Sequence, residues 1–288
     1  MHCLFRTRCS LLALSLFLWA GGALAQAQPT PSTYEPSVGQ EGKDVIWVPT
    51  PQALVDKMLN MAKVAPNDYV IDLGSGDGRT VITAAKRGVQ ALGIEYNPDM
   101  VELSKRSAQK EGVSDRAKFV KADLFASDFS KATVITMFLL PDINLKLRPK
   151  ILDLKPGTRI VSNTFTMGDW SSDGSVTADQ SEGCQSYCVA YLWIVPAKVG
   201  GTWRFPQGEL TLKQEFQMLS GQLRTAGKVT PITNGRVSGD QLTFVAGGVD
   251  YSGRVNGNSM AGTSNGSSGT WTATRTGKPV PAAAPAKV

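Results

Sequence analysis

The sequence predicts an α/β domain with a largely parallel sheet, followed by a smaller all-β antiparallel domain. Two observations predict this organisation. Up to residue 198, short apolar runs alternate with helical patterns, and several of the runs end in an acid. From Thr202 onwards, short alternating runs lie between glycine-rich turns instead. The chain has 288 residues, of which 42% are hydrophobic, so it is long enough for two domains.

The segment 70–79, VIDLGSGDGR, predicts a strand, a glycine-rich turn and the start of a helix. It opens with an apolar run that contains one acid, Asp72, which is typical of a central parallel strand. Three alternating glycines follow, and a helical pattern then covers 79–86. Glycines before a helix N-terminus let the backbone approach a nucleotide-like cofactor. The three glycines are Gly74, Gly76 and Gly78.

The spacing of these glycines argues against a dinucleotide site. The dinucleotide fingerprint is Gly-x-Gly-x-x-Gly, and here Arg79 stands where the third glycine is needed. Asp72 lies two residues before the first glycine. This pattern resembles motif I of the class I S-adenosylmethionine (SAM)-dependent methyltransferases, which implies a Rossmann-like seven-stranded sheet. A purely structural glycine turn is the alternative.

Two further acids end the next two predicted strands. The strand over 89–95 ends in Glu95, and the strand over 117–123 ends in Asp123. A carboxylate roughly 20 residues after the glycine turn can accept both ribose hydroxyls. The resemblance implies that the later aspartate meets the adenine amino group. Either acid alone is equally consistent with a solvated loop residue, but three acids at successive strand ends favour a cofactor site.

Short motifs around these strands refine the resemblance. They are VPTP at 48–51, DLGSGDGR at 72–79, EYNP at 95–98, and Phe165 with Trp170. Together they resemble the small lysine methyltransferases related to the enzyme that modifies the c-subunit of mitochondrial ATP synthase. The resemblance covers about residues 45–175. It implies protein-lysine N-methylation, whereas the chain after residue 199 has no counterpart in that group.

The resemblance and the strand ends together define a candidate site. Trp47 and Pro49 are expected to fold over the cofactor, although an ordinary packed entry turn is the alternative. The remaining candidate cofactor-binding residues are Asp72, Gly74, Ser75, Gly76, Gly78, Glu95, Tyr96, Asp123 and Leu124. The candidate residues of the acceptor channel are Phe138 and Leu140, at the end of the predicted fourth strand over 131–140, and Pro141, which follows it.

We predict neither a dedicated catalytic base nor a metal site. The one histidine of the chain, His2, lies in the N-terminal segment that we expect to be removed. Methyl transfer from a sulfonium is an in-line displacement that depends mainly on holding the nucleophile near the methyl group. A lysine acceptor must arrive neutral, and an apolar channel lowers its pKa by disfavouring the ammonium form.

The N-terminal segment predicts export. Two arginines precede an apolar run over 11–20, and ALA at 23–25 is a small-x-small cleavage site. We therefore expect a signal peptide over 1–25, cleaved after Ala25, and a periplasmic protein with a flexible leader over 26–42. An uncleaved N-terminal membrane anchor is the alternative. SAM is made in the cytosol, so an exported enzyme needs a supply that the sequence does not explain.

Two cysteines, Cys184 and Cys188, follow the predicted cleavage site. An even number in an exported chain favours a disulfide. Four residues of strand, however, span about 13 Å, which exceeds disulfide reach. The bond therefore requires a turn over 185–187, and two free thiols are the alternative.

The domain boundaries follow from these patterns. We predict a methyltransferase domain over 43–198, a β domain over 199–278 and a disordered tail over 279–288. In the β domain, GRVSG at 235–239 recurs as GRVNG at 253–257, which favours successive hairpins of a barrel or sandwich.

Two classes of function follow from the sequence. The first is a SAM-dependent methyltransferase that acts on a protein lysine, or alternatively on a small molecule. The second is an exported binding protein on the same scaffold, without activity. The β domain is mildly basic, which is typical of a solvated β surface. Docking on an acidic envelope protein or on the membrane surface is the alternative. The β domain has no basic patch with interleaved aromatics, so we expect no nucleic-acid partner.

Overall fold

The structure is a computed structural model that describes residues 34–206, 208–266 and 269–277. The predicted signal peptide, the first part of the predicted leader and the predicted tail lie outside the described residues. Within the described residues, no helix is both long enough and apolar enough to cross a bilayer.

A seven-stranded sheet forms the first domain of the described chain. Its strands are β1 (Tyr69–Leu73), β2 (Gln90–Glu95), β3 (Ala117–Lys121), β4 (Val134–Met137), β5 (Arg159–Asn163), β6 (Gly174–Thr177) and β7 (Val189–Ile194). Their order is β3-β2-β1-β4-β5-β7-β6, with β1 to β5 parallel and β7 antiparallel to both β5 and β6. This is the predicted Rossmann-like methyltransferase sheet. The chain order reverses between β1 and β4, and such a reversal opens a crevice at the carboxyl ends of the strands.

Helices cover both faces of this sheet. In the described residues they are α1 (Gln52–Met61), α2 (Arg79–Lys86), α3 (Pro98–Lys110) and α4 (Pro141–Leu152). The side chain of Asn97 caps α3 by accepting from the N–H of Asp99 at 2.9 Å, and Pro98 occupies the first helical position. Both roles follow from the sequence.

The fourth strand is shorter than predicted. It covers Val134–Met137 rather than 131–140, because the chain leaves the sheet before α4 begins at Pro141. Leu140, the residue before this proline, is extended, as the proline ring requires. The segment 138–140 is therefore a loop at the carboxyl edge of the sheet and is free to contact a ligand.

The second domain is a closed antiparallel barrel. Its described strands are β8 (Gly201–Phe205), β9 (Gly208–Glu215), β10 (Met218–Thr225), β11 (Lys228–Ser238), β12 (Gln241–Ala246), β13 (Val249–Asn256), β14 (Ser259–Ser264) and β15 (Thr270–Thr276). Each strand pairs with the next, and β15 pairs with β8 to close the barrel. The interior is filled with apolar side chains around Trp203, Phe244 and Trp271. The structure therefore decides between the two predicted forms in favour of the barrel, which leaves no open sheet edge.

The barrel contacts the edge of the sheet opposite the crevice. The buried ring of Phe216, at the turn between β9 and β10, stacks on Trp170 with ring centroids 5.9 Å apart. Arg236 of β11 forms an ion pair with Asp173, which directly precedes β6. Gly239, after β11, packs against Gly157, two residues before β5. Because β5 and β6 both begin at this edge, the barrel lies away from the carboxyl ends of the strands.

Candidate active site

The crevice lies at the carboxyl ends of β1, β2 and β4. Loops from neighbouring strands diverge there and leave room for a ligand. Ten of the predicted cofactor-binding residues line it: Trp47, Pro49, Asp72, Gly74, Ser75, Gly76, Glu95, Tyr96, Asp123 and Leu124. Every described residue in its lining belongs to the first domain.

The glycine turn after β1 forms the floor of the crevice. Gly74 and Gly76 adopt left-handed conformations, with φ of 74° and 52°, which side chains other than glycine rarely tolerate. A Cβ atom added to Gly76 would also lie 2.6 Å from Nε1 of Trp47. Glycine at position 76 therefore allows both the turn and the close approach of this indole.

Gly78 is the third glycine of the turn that was predicted to bind the cofactor. It does not line the crevice, and it precedes α2 with a φ of 80°. A Cβ atom at this position would lie 2.7 Å from Oγ of Ser104 and 2.8 Å from the ring of Phe119. The close packing of the turn against α3 and β3 is thus enough to require glycine at this position.

Asp72 is a buried acid at the centre of the crevice. It lies in β1, and one of its carboxylate oxygens accepts a hydrogen bond from Oγ1 of Thr136 at 2.7 Å. Burial raises the pKa of Asp72 to about 7, and the nearby charges of Glu95 and Asp77 contribute to the rise. The carboxyl group therefore changes its charge near neutral pH.

Glu95 is oriented by three backbone N–H groups. One oxygen accepts from Gly76 at 2.9 Å, and the other accepts from Tyr96 and Asn97, each at 2.9 Å. These bonds join the end of β2 to the glycine turn after β1. A carboxylate has about four acceptor positions, and three of those on Glu95 are taken. Glu95 therefore retains about one for a hydroxyl group of a ligand.

Asp123 is paired with a lysine that the sequence did not suggest. Its carboxylate accepts from Nζ of Lys43 at 2.6 Å, and this bond lowers the pKa of Asp123. The same ammonium lies 4.9 Å from the ring centroid of Tyr96. Lys43 therefore connects the segment before α1 to the far end of the crevice.

That segment, residues 39–47, forms a strap across the crevice. Gly39 donates to the carbonyl of Trp47 at 2.8 Å, and Trp47 donates to the carbonyl of Gln40 at 2.9 Å. The strap is closed like a hairpin, and it places the indole of Trp47 against Gly76. Trp47 and Pro49 thus lie at the crevice, and the strap also supplies Lys43.

The other end of the crevice is apolar and aromatic. Phe138 and Leu140 line it, from the loop between β4 and α4, as the channel prediction requires. Phe165, which follows β5, lies next to them with its ring centroid 6.0 Å from that of Phe138. Tyr187, just before β7, is also in the lining, with its centroid 5.2 Å from Phe138.

The apolar end of the crevice differs from the predicted acceptor channel at two residues, Pro141 and Tyr187. Pro141, the first residue of α4, does not line the crevice, whereas Ile143 of the same helix does. Tyr187 lines the crevice but was not predicted. It stands between two cysteines whose pairing the sequence left open, and the structure joins them in a disulfide. The two cysteines of the CQSYC segment were therefore the sequence signal for a turn, and this turn brings the ring of Tyr187 to the edge of the sheet.

The crevice fits SAM better than a dinucleotide. Its lining combines the carboxylates of Asp72, Glu95 and Asp123 with an apolar end. SAM carries an ammonium, a sulfonium, ribose hydroxyls and an adenine amine, all of which suit carboxylate partners. A diphosphate would be repelled by the same acids. The fold and this site together define a class I SAM-dependent methyltransferase.

Comparison with known proteins narrows the class. The family model described as the ANTKMT methyltransferase domain matches residues 72–174. A protein-lysine N-methyltransferase of Saccharolobus islandicus is 42% identical over 154 residues, which cover 52% of this chain and 94% of that protein. The chain therefore belongs to the family of SAM-dependent protein-lysine N-methyltransferases.

More distant relatives share only part of their length with the chain. The human lysine N-methyltransferase named for the ATP synthase c-subunit is 35% identical over 128 residues, covering 44% of this chain and 54% of that protein. The chain thus spans about half the length of such relatives. An RNA methyltransferase of Salinibacter ruber, solved with S-adenosyl-L-homocysteine, is 43% identical, covers 53% of this chain and 96% of that one, and has a TM-score of 0.49.

Proposed function

We propose that this protein transfers the methyl group of SAM to the side-chain amine of a lysine in a protein acceptor. The observation that carries the proposal is the composition of the crevice. Carboxylates occupy its centre, and an open apolar end adjoins them, formed by Phe138, Leu140 and Phe165. Relatives that are named for lysine methylation support the choice of acceptor.

The cofactor is proposed to contact the acids and the strap. Asp72 faces the amino-acid end of SAM, Glu95 accepts from a ribose hydroxyl and Asp123 accepts from the adenine amine. Gly74 and Gly76 allow the backbone to pass close beneath it, and Trp47 covers it. The preset orientation of Glu95 by three backbone N–H groups supports its assignment.

The chemistry needs positioning rather than a general base. Bound in this crevice, SAM would supply an electrophilic methyl carbon: the lysine nitrogen would form the N–C bond in line as the C–S bond breaks, and S-adenosyl-L-homocysteine would leave. The apolar walls at Phe138 and Leu140 disfavour the ammonium form and so lower the pKa of the lysine. The lysine ammonium loses its proton to water through the open end of the crevice, where Leu140 is exposed, and then attacks as the neutral amine.

Labelling of a cell-envelope extract tests this proposal. The purified protein is incubated with methyl-labelled SAM and the extract, and the labelled products are hydrolysed to amino acids. We expect the label in methyl-lysine, and much less label with a Glu95→Ala variant when SAM is kept below saturation. Label in RNA or in small molecules would contradict the proposed acceptor. A protein that neither binds SAM nor labels any acceptor would support the alternative of an inactive binding protein.

We also propose that the protein is exported to the periplasm. The disulfide between Cys184 and Cys188 supports this location, because such bonds persist in oxidising compartments. The barrel is proposed to contact an acidic envelope protein or the membrane surface, since it lies away from the crevice and is mildly basic. Fractionation of cells checks both points: we expect the protein in the periplasm, partly released from the envelope by salt. A cytosolic protein with an intact N-terminus would contradict the export.

A further inference from the structure

The loop between β6 and β7, residues 178–188, lies at the same edge of the sheet as the crevice. β6 is antiparallel to β7 and runs in the direction of β5, so it ends, and β7 begins, at the carboxyl edge. The matched family model ends at residue 174. The loop therefore lies beyond the part of the chain that this family model matches.

Several contacts fix the shape of this loop. The disulfide joins Cys184 to Cys188 with their Cα atoms 5.9 Å apart, and Cys184 is buried in the main core of the domain. Asp179 and Glu182 form a reciprocal capping box around the turn between them. Nζ of Lys57, on α1, lies 2.7 Å from the carboxylate of Glu182. The loop is thus tied to the core and to a helix before it reaches residue 187.

Tyr187 is held in an unusual position by this loop. Its φ is 56°, in the left-handed region that residues with a side chain seldom adopt. The residue is 43% exposed, although it carries a large aromatic side chain. The ring packs against Phe138 at one side and leaves its remaining surface open to the crevice.

We propose that Tyr187 is a specificity-determining residue of the acceptor site and that the Cys184–Cys188 disulfide positions it. Together with Phe138 and Phe165, it forms an aromatic enclosure for the aliphatic stem and the amine of the acceptor lysine. Aromatic faces pack well against methylene groups and also attract alkylammonium groups. The inference rests on the proposed lysine methylation and adds the residue that recognises the side chain.

Kinetics of single variants test the role of the ring. With the envelope extract as the acceptor, Tyr187→Ala should raise the half-saturating extract concentration about 10-fold, as the loss of one aromatic contact requires. The half-saturating SAM concentration should not change, because Tyr187 lies at the other end of the crevice. Tyr187→Phe should behave like the wild type, and so should Gln185→Ala, an exposed neighbour in the same loop.

A double-mutant cycle tests the role of the disulfide. Cys184→Ser with Cys188→Ser should weaken acceptor binding as much as Tyr187→Ala does. Adding Tyr187→Ala to the pair should have little further effect, because both changes remove the same contact. Calorimetry with SAM verifies that each variant is folded; if the serine pair is not, the comparison of Tyr187→Ala with Tyr187→Phe decides alone.

The outcomes separate this inference from the proposed function. If the wild type labels no lysine, the proposed function is wrong, and the inference falls with it. If the wild type labels lysine but Tyr187→Ala leaves acceptor half-saturation unchanged, only the inference is overturned. Equal losses for the acceptor and for SAM, or additive effects of the tyrosine and cysteine changes, would also overturn it.

Discussion

Asp72 shows how the surroundings of a single side chain set the chemistry of the crevice. The residue is 6% exposed, and burial raises the pKa of its carboxyl group to about 7. When a buried carboxyl group of this kind ionises, the free energy of unfolding of the protein falls. A positively charged ligand beside it favours the ionised form and offsets that loss. Asp72 therefore lowers the stability of the protein without a ligand, but it is well placed to bind a positively charged one.

Replacing this acid should stabilise the protein at alkaline pH. The unfolded aspartate loses its proton near pH 4, whereas the folded one keeps it until about pH 7. The contribution of Asp72 to the free energy of unfolding therefore falls as the pH rises from about 4 to 7, and it stays low above that range. At pH 8, urea titration should give the Asp72→Asn variant a free energy of unfolding about 1–3 kcal/mol higher than that of the wild type.

The same comparison at pH 4 is the control. Both carboxyl and amide are neutral there, and both can accept from Thr136, so we expect the two proteins to have nearly equal stability. An equal difference at both pH values would show that the effect does not come from the charge of Asp72. We also expect the variant to bind SAM more weakly, because it lacks the negative charge that is proposed to face the amino-acid end of SAM.

Glu95 gives the most direct test of the ribose assignment. Its carboxylate faces the crevice in a fixed orientation. Loss of a charged acceptor that binds a ligand typically costs about 1.5–3 kcal/mol of binding free energy. Glu95→Ala should therefore weaken SAM binding roughly 10–100-fold, as measured by calorimetry. Glu102→Ala, on the exposed face of α3, is the matched control and should leave the affinity unchanged. Unchanged affinity in the Glu95 variant would show that the ribose lies elsewhere.

At the scale of elements, the glycine turn and the strap form one unit. The turn after β1 was predictable from its glycines, since they precede a helical pattern. The strap was not predictable, because its contacts join residues far apart in sequence, such as Lys43 and Asp123. Local propensity carries no information about such pairs, and hence the covering role of Trp47 came only from a family resemblance.

A pair of glycine variants tests this unit. Gly76→Ala places a Cβ atom 2.6 Å from Trp47 at a φ of 52°, so the strap has to move. We expect SAM binding to weaken at least about 10-fold. Gly88→Ala is the matched control: its φ is 88°, but nothing lies within 4 Å of the added atom. It should lower stability by about 1 kcal/mol and leave the SAM affinity intact. Equal SAM affinities in the two variants would contradict the role of the strap.

At the scale of the whole molecule, the sequence predicts the two folds but not how they meet. Alternating runs and the repeated GRVSG and GRVNG segments indicate antiparallel hairpins, and those hairpins close into a barrel. The contact of Phe216 with Trp170 and Arg148 has no local signal, because each residue alone is typical of a core or a surface. For Tyr187 the CQSYC segment gives only an indirect signal, because the place of the ring depends on a turn that the disulfide closes.

Phe216 should couple the stability of the two domains. Its ring is buried between Trp170 and the guanidinium of Arg148. Phe216→Ala should lower the free energy of unfolding by about 3 kcal/mol and separate the thermal transition into two. Met218→Ala, two residues away and 50% exposed, should change it by less than about 0.5 kcal/mol. A single, unshifted transition in the Phe216 variant would show that the domain contact contributes little.

Calorimetric titration of the protein with SAM tests the central claim most directly. We predict one site per chain with a dissociation constant of roughly micromolar order, and no binding of NAD at the same concentrations. The acid-lined crevice at the carboxyl edge of the sheet is the reason for both expectations. No heat at millimolar SAM, or binding of NAD in its place, would contradict the assignment of this crevice to a methyl donor.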